Sequence, residues 1–300
     1  MDRKICMITG ANSGIGKAAA IQIAQQGYHT ILACRNQQKG EAALRDVMEA
    51  SGSNAVELML VDMSLQSSID DLAEAYLAQH DRLDVLIQNA AVFDITQKEP
   101  VYTAEGIESV WATNHLGPVL LTERLWGALQ ASSQARVIAI ASKGLVAKPF
   151  LKVDLDDPEF RSRPFSVENA YYQSKLAQIM YTYWLAERGR EARITANCIR
   201  VPAVRVDIDK YDNLSPLMKK AYALKSRFAL TPEEMAVCYT RLATAPELHD
   251  VSGVYFNEKM KPVKPPKYAQ RAENIDKVMT LTMSYFKTGE SGNRKAEAQS

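Results

Sequence analysis

The chain has 300 residues, of which 47% are apolar and 24% charged. That is enough to bury a full hydrophobic core without disulfides or metals. Its net charge of +1 supplies no electrostatic drive toward nucleic acid or an anionic membrane surface.

The predicted elements alternate between short apolar runs and longer helical patterns. Residues 5–9 predict a first strand, followed by a glycine-rich turn and a helix over 13–26 that Gly27 stops. A second strand follows over 28–34, a helix over 41–50, a third strand over 55–61, a helix over 68–79 and a fourth strand over 83–88. A long helical stretch over 104–131 is broken near Gly117-Pro118, and a fifth strand covers 136–141. After an irregular segment come a helix over 167–188 and a sixth strand over 194–200. Helices over 216–225 and 232–243, a short strand over 253–257 and a helix over 272–286 complete the pattern. The polar residues 288–300 are expected to be disordered.

This alternation predicts βαβ units and therefore an α/β, doubly wound parallel sheet, the Rossmann fold. One domain is expected over 1–257, with a substrate lid around 205–230 and a C-terminal extension over 258–300. No apolar run approaches the ~18 residues of a membrane span, and with the first strand beginning at residue 5 no signal peptide is expected. The cytoplasm is the expected location. Cys6, Cys34, Cys198 and Cys238 form no CxxC pair and are expected to be reduced core thiols. His29, His80, His115 and His249 are scattered, with no pair at ligand spacing, so no metal is expected.

The turn reads Thr9-Gly10-Ala11-Asn12-Ser13-Gly14-Ile15-Gly16, directly after a strand and opening a helix. That context is what a dinucleotide fingerprint requires. Gly10 allows a tight turn, Gly14 a close approach to pyrophosphate, and Gly16 the packing of helix on strand. The free N–H groups of the Asn12–Ile15 stretch and the helix dipole then face the phosphates. An NAD site usually carries an acidic residue at the end of the second strand. Here that strand ends Ala33-Cys34-Arg35. The Arg35 guanidinium suits a 2′-phosphate, so NADP(H) is the expected cofactor.

Tyr171 and Lys175 are four residues apart in the 167–188 helix and share one face. A free phenol titrates near pH 10, too high for acid–base work at neutrality, and a nearby ammonium stabilises the phenolate. Tyr172 is a rival, three residues from Lys175. Ser142 follows the fifth strand, and the carboxyl ends of strands are where open α/β sheets bind ligands. Its hydroxyl can orient a reacting oxygen, or it can simply cap a turn.

With the glycine turn, Asn89-Ala90-Ala91, Asn114, Ser142 and Tyr171/Lys175 in this order, the chain resembles the short-chain dehydrogenase/reductase superfamily over residues 4 to 257. Within it, Ala33-Cys34-Arg35, Asn114-His115-Leu116-Gly117 and Ser174-Lys175-Leu176-Ala177 resemble the retinol-dehydrogenase-like group. The resemblance implies that Tyr171 protonates a carbonyl oxygen and that Lys175 lowers its pKa and holds the nicotinamide ribose. It implies that Ser142 orients the substrate and that Asn114, in a helix kink, supports a water-linked proton relay. Asp62 would contact the adenine amino group, and Asn89 would stabilise the sheet beside the cofactor. Pro202 stands where the family carries a Pro-Gly, here Pro202-Ala203. The threonine that usually follows is replaced by Val206 or Asp207.

The 28 residues between Ser142 and Tyr171 form a long insert. Residues 214–227, with Leu217, Met218, Tyr222, Leu224 and the neighbouring Phe228, predict an apolar wall suited to a lipophilic or aromatic carbonyl or alcohol. Many relatives pair subunits through the 104–131 and 167–188 helices, so a homodimer is expected unless the insert blocks that surface and leaves a monomer. Two other readings of the same motifs are a catalytically silent NADP(H)-binding sensor and a reductase of activated C=C bonds.

Overall fold

Short strands that are apolar on both faces must be covered on both faces. The computed structural model describes residues 3–205 and 229–286. The expected 216–225 helix, most of the lid, Val206, Asp207 and residues 288–300 lie outside the described residues.

The strands are β1 (Ile5–Thr9), β2 (His29–Cys34), β3 (Val56–Leu60), β4 (Val85–Gln88), β5 (Ala135–Ser142), β6 (Ile194–Val201) and β7 (Val254–Phe256). They form one sheet in the order β3-β2-β1-β4-β5-β6-β7. Every pairing is parallel. The winding reverses between β1 and β4, which opens a crevice at the carboxyl ends of those strands.

The helices are α1 (Gly14–Gln25), α2 (Gln37–Ser51), α3 (Gln66–Leu77), α4 (Ser109–Trp111), α5 (Gly117–Arg124), α6 (Trp126–Ala131), α7 (Val167–Arg188), α8 (Pro232–Thr244) and α9 (Ala272–Ser284). Alternate strand residues such as Ile8, Leu32 and Ile87 pack under α1, α2 and α8. Their neighbours Met7, Ile31 and Leu86 pack under α3, α5 and α7. The two apolar layers follow from the two-residue period of the strands. Among the described residues no helix is long and apolar enough to cross a membrane. The four cysteines are free and buried.

Most boundaries fall where the sequence places them, and two differ for physical reasons. Helix α2 starts earlier than residue 41 because the Asn36 side chain accepts from the Lys39 N–H at 2.9 Å and caps it. The long helical stretch starts only at Ser109, where the Glu108 carboxylate accepts from the N–H groups of Val110 and Trp111. Its break is a π-helical turn over Ala112–Leu116, just before Gly117-Pro118. Pro118 has no N–H to return to the carbonyls one turn earlier, and the turn widens to accommodate it. Gly117 can occupy the next position because it lacks a Cβ, which would lie 2.2 Å from the Met63 carbonyl oxygen.

The insert and the tail both brace this kinked region. The Tyr285 hydroxyl donates to the buried Glu159 carboxylate at 2.9 Å, and the Glu108 N–H donates to its other oxygen at 2.9 Å. Within the insert, burial works against the Asp157 carboxylate. The N–H groups of Ser162, Arg161 and Arg163 outweigh it and hold its pKa down to about 2.

His115, in the π turn, is fully buried, stacks on Trp111 at 4.5 Å and shares a 2.7 Å hydrogen bond with Thr282 of α9. Burial lowers its pKa from 6.5 to about 3. The unfolded chain therefore takes up a proton below about pH 6.5 that the folded chain refuses, and stability drains as the pH falls toward 3. Between about pH 6.5 and about pH 5 the loss is about 2 kcal/mol. Urea melts of the wild type and of His115→Asn across that interval check this. The wild type loses more by that amount, and equal losses in the two proteins would assign the slope to another group.

Candidate active site

The floor of the crevice is the turn between β1 and α1. Gly10 sits at φ +66°, and a Cβ there would lie 2.9 Å from the Ala90 Cα on the strand-end opposite. Gly16 is confined from below: its Cβ would lie 2.5 Å from the Asn89 amide nitrogen and 2.6 Å from the Gly10 carbonyl. Asn89 explains the fit, donating to the Thr9 carbonyl at 3.0 Å and the Gly10 carbonyl at 3.2 Å. The Ala90 N–H donates to the Thr9 hydroxyl at 3.0 Å. These bonds lock the ends of β1 and β4 together.

Over this floor lies a cleft of about 370 Å³. Gly10, Asn12, Ser13, Gly14 and Ile15 line it from the turn, Arg35 from β2, Asp62 from β3 and Asn89 from β4. Ser13 caps α1 without a side-chain hydrogen bond, and the first turn carries no acidic residue. The α1 amides and their dipole therefore face the cleft uncompensated, as an anion-binding end requires. Arg35 is 71% exposed and reaches to 3.8 Å from the Asp62 carboxylate, leaving its fork open to solvent. The donor set fits a pyrophosphate on the turn and a second anionic group at Arg35. Four residues expected at the cofactor are not among those that line this cleft: Gly16, Pro202, Tyr171 and Lys175. Gly16 lies beneath the turn, packing helix on strand. Pro202 directly follows β6, and among the described residues beyond it Val204, Arg205 and Pro232 line the cleft.

The second group of side chains adjoins this cleft through Val92, which lines it. The Asn114 side chain accepts from the Val92 N–H at 2.8 Å and donates to the Val92 carbonyl at 3.0 Å. It also reaches the Ser174 hydroxyl at 3.2 Å, on the helix that carries Tyr171 and Lys175. Ser142, at the last position of β5, caps a turn by accepting from the Gly144 N–H at 3.2 Å and lies close enough to the Tyr171 phenol to favour its ionised form. Burial raises the Tyr171 pKa to about 12, with Ser142 pulling the other way. Tyr172 instead lies against Lys148, whose ammonium is 5.8 Å from its ring centre.

Lys175 is only 1% exposed. Its ammonium donates to the Ile140 carbonyl and the Gln178 side-chain oxygen, each at 2.8 Å, and stands 5.8 Å from the centre of the Tyr171 ring. Burial lowers its pKa to about 8. The arrangement can thus present a neutral phenol, a hydroxyl and a cation to one reacting oxygen.

Several residues here carry no signal of their own in the sequence. Phe93 stacks on Tyr171 at 4.4 Å between ring centres. Thr113, Val204 and Arg205 line the cleft. Gln178, one turn beyond Lys175 on its own helix, was within reach of spacing arguments.

The family profile of short chain dehydrogenase matches residues 4–151. Human Retinol dehydrogenase 13 is 35% identical over 258 residues, covering 85% of this chain and 76% of the relative. Human Retinol dehydrogenase 14 is 33% identical over 272 residues, covering 86% and 79%. The crystal structure of an uncharacterised protein from Mycobacterium Paratuberculosis superposes with a TM-score of 0.69 at 25% identity, covering 94% of this chain and 92% of that one. The glycine turn, the seven-stranded parallel sheet and these likenesses agree: the chain belongs to the short-chain dehydrogenase family of nicotinamide-dependent oxidoreductases, within its retinol-dehydrogenase-like group.

Proposed function

We propose that the protein is an NADP(H)-dependent oxidoreductase that interconverts a carbonyl and an alcohol in lipophilic or aromatic substrates, with Tyr171 as the general acid and base. The observation that carries this reading is the buried Lys175 ammonium 5.8 Å from the centre of the Tyr171 ring, with Ser142 at the end of β5 beside the same phenol.

When bound, the cofactor supplies a hydride. The amides of Gly10 to Ile15 would hold its pyrophosphate, Arg35 its 2′-phosphate, Asp62 its adenine amino group and Lys175 its nicotinamide ribose. Everything else is done by this chain. Ser142 orients the substrate oxygen, and Tyr171 gives that oxygen its proton. Burial holds the Tyr171 pKa at about 12, without the lowering by Lys175 expected from the sequence, so the phenol is protonated at neutral pH, the form that the reductive direction starts from. Lys175, still protonated, then faces the phenolate that remains. Asn114 fixes Val92 and Ser174 and so sets the distance between cleft and acid, supporting the relay that reprotonates Tyr171.

The substrate class rests on the wall beside the phenol. Phe93 covers Tyr171 and is 39% exposed, and Ile95 nearby in the chain is 47% exposed. Such surface matches an apolar or aromatic substrate. The relatives are named for retinol, a lipophilic alcohol. Helix α9 packs on α7, part of the surface through which subunits were expected to pair, and favours the monomer. The cytoplasm is the location proposed.

Two outcomes test the proposal. With NADPH and a panel of aromatic and long-chain aldehydes and ketones, Tyr171→Phe lowers kcat by about 10²- to 10⁴-fold, the usual range for a lost general acid. In the wild type, kcat/KM for reduction is level below about pH 8 and falls above it, because Lys175 is charged below its lowered pKa of about 8 and neutral above. Lys175→Arg moves that descending limb upward. Turnover unchanged by Tyr171→Phe would remove the assignment.

Cofactor choice is read separately. Wild-type kcat/KM favours NADPH over NADH, and Arg35→Asp reverses the preference by about a hundredfold, the size of a lost charge-assisted pair. A wild type that prefers NADH would sink the Arg35 assignment while leaving the chemistry of Tyr171 in place.

A further inference from the structure

A second cluster of chemistry-bearing side chains lies at the opposite end of the sheet. His29 opens β2, Glu57 is the second residue of β3, and His80 follows the end of α3. In sequence they are far apart. The fold brings them together for a simple reason. Strands β2 and β3 run parallel, with Ile31 opposite Glu57. The two-residue period puts His29 and Ile31 on the same face. Helix α3 packs on that face, through Leu72 and Tyr76 against Ile31 and Met59. A crossover helix runs back along its strands, so the end of α3 arrives beside their beginnings.

The geometry is close. The Nε2 atom of His29 lies 3.2 Å from Oε2 of Glu57, and Nε2 of His80 lies 3.1 Å from the same oxygen. The two imidazoles meet edge to face, their centres 5.2 Å apart at 86°. One potential ligand atom from each of the three lies within 4.8 Å of the others, and among the described residues no other group of His, Cys, Asp or Glu does so. A tetrahedral zinc ion with bonds of ~2.0–2.1 Å holds its ligand atoms ~3.3 Å apart. The two nitrogen–oxygen separations already stand near that edge length. Two imidazoles and one carboxylate are also the donor set that zinc takes when a position is left for water.

The supports are those of a built site. The Tyr76 ring stacks on His80 at 4.9 Å, and the His80 N–H donates to the Tyr76 carbonyl at 2.9 Å, so the histidine is held from the helix side. The side chains are 28%, 12% and 25% exposed for His29, His80 and Glu57, so they are largely covered yet still open to solvent.

We propose that His29, Glu57 and His80 bind one zinc ion, with water completing its coordination. The ion staples the edge strand β3 to β2 and to the end of α3. Because it sits at the amino ends of the strands and the cleft at their carboxyl ends, about 15–20 Å of strand separates them. Its work is structural, and it takes no part in the reaction proposed for Tyr171.

The test is a titration of the full chain, stripped with a chelator, with Zn²⁺ against a chromogenic zinc indicator. One equivalent binds, and the thermal midpoint rises as it does. Co²⁺ in place of zinc gives visible absorption of the intensity typical of a four-coordinate ion. His29→Gln/His80→Gln, and separately Glu57→Gln, weaken binding by at least ~100-fold, since even partners outside the ligand set cost ~10–100-fold when removed. Both variants abolish the cobalt band and leave NADPH-linked turnover as in the wild type. Circular dichroism of the stripped proteins verifies that each variant is folded. A wild type that takes up no saturable equivalent overturns the proposal without reference to any variant. So does a folded double variant that binds zinc as tightly as the wild type, because the ion would then be held by other residues.

Discussion

The side-chain amide of Asn114 is the constraint on which the site depends. It satisfies both backbone polar atoms of Val92, which lines the cleft, and it also reaches Ser174, the neighbour of Lys175. One fully buried residue thereby sets the separation between the cleft and the proposed acid. An amide can do this because it offers donors and an acceptor at a fixed angle. An aspartate in its place would lose both donors and add a buried charge. The π turn is what turns that amide toward Val92, and Pro118 and Gly117 are the residues that make the turn.

The brace around that turn is polar and buried. Glu108 caps the helix start, Glu159 bridges from the insert, and Tyr285 closes the contact from beyond α9. Burial raises the Glu108 pKa, with the neighbouring Glu159 adding to it and the helix N–H groups opposing. Two carboxylates this close are tolerable only when donors surround them. The insert and the tail, which carry none of the reacting groups, are thus coupled to the position of Asn114.

What could be read from the sequence was what is local. The run Ile5–Thr9 and the glycines after it declare a strand, a turn and a helix within a dozen residues. Tyr171 and Lys175 declare a shared face because four residues make one helical turn. The kink was foreseen but placed slightly late, because proline marks where a donor is missing while the widened turn lies among the residues before it. Phe93 against Tyr171, and Val204 and Arg205 in the cleft instead of Pro202, depend on where loops lead after strands end, and no periodicity encodes that. The meeting of His29, Glu57 and His80 was invisible for the same reason: only the return of α3 along the sheet brings the third residue to the other two.

Lys175 separates a working site from a merely inherited fold. Its ammonium is buried with a carbonyl and an amide oxygen for company, and among the described residues no carboxylate is recorded against it. Taking such a cation out of water costs several kcal/mol, and the lowered pKa is the same cost seen as a proton equilibrium. A Leu or Met there would fill the space without that penalty, so packing alone does not account for a lysine. The residue makes physical sense if a positive charge is needed beside the Tyr171 ring, where it opposes loss of its own proton and steadies the phenolate after proton transfer. In a silent binding protein only the ribose contact proposed for Lys175 would be left to offset the cost of burial. The buried cation therefore points to a partner that needs a positive charge at this place, on energetic grounds and independently of any family likeness.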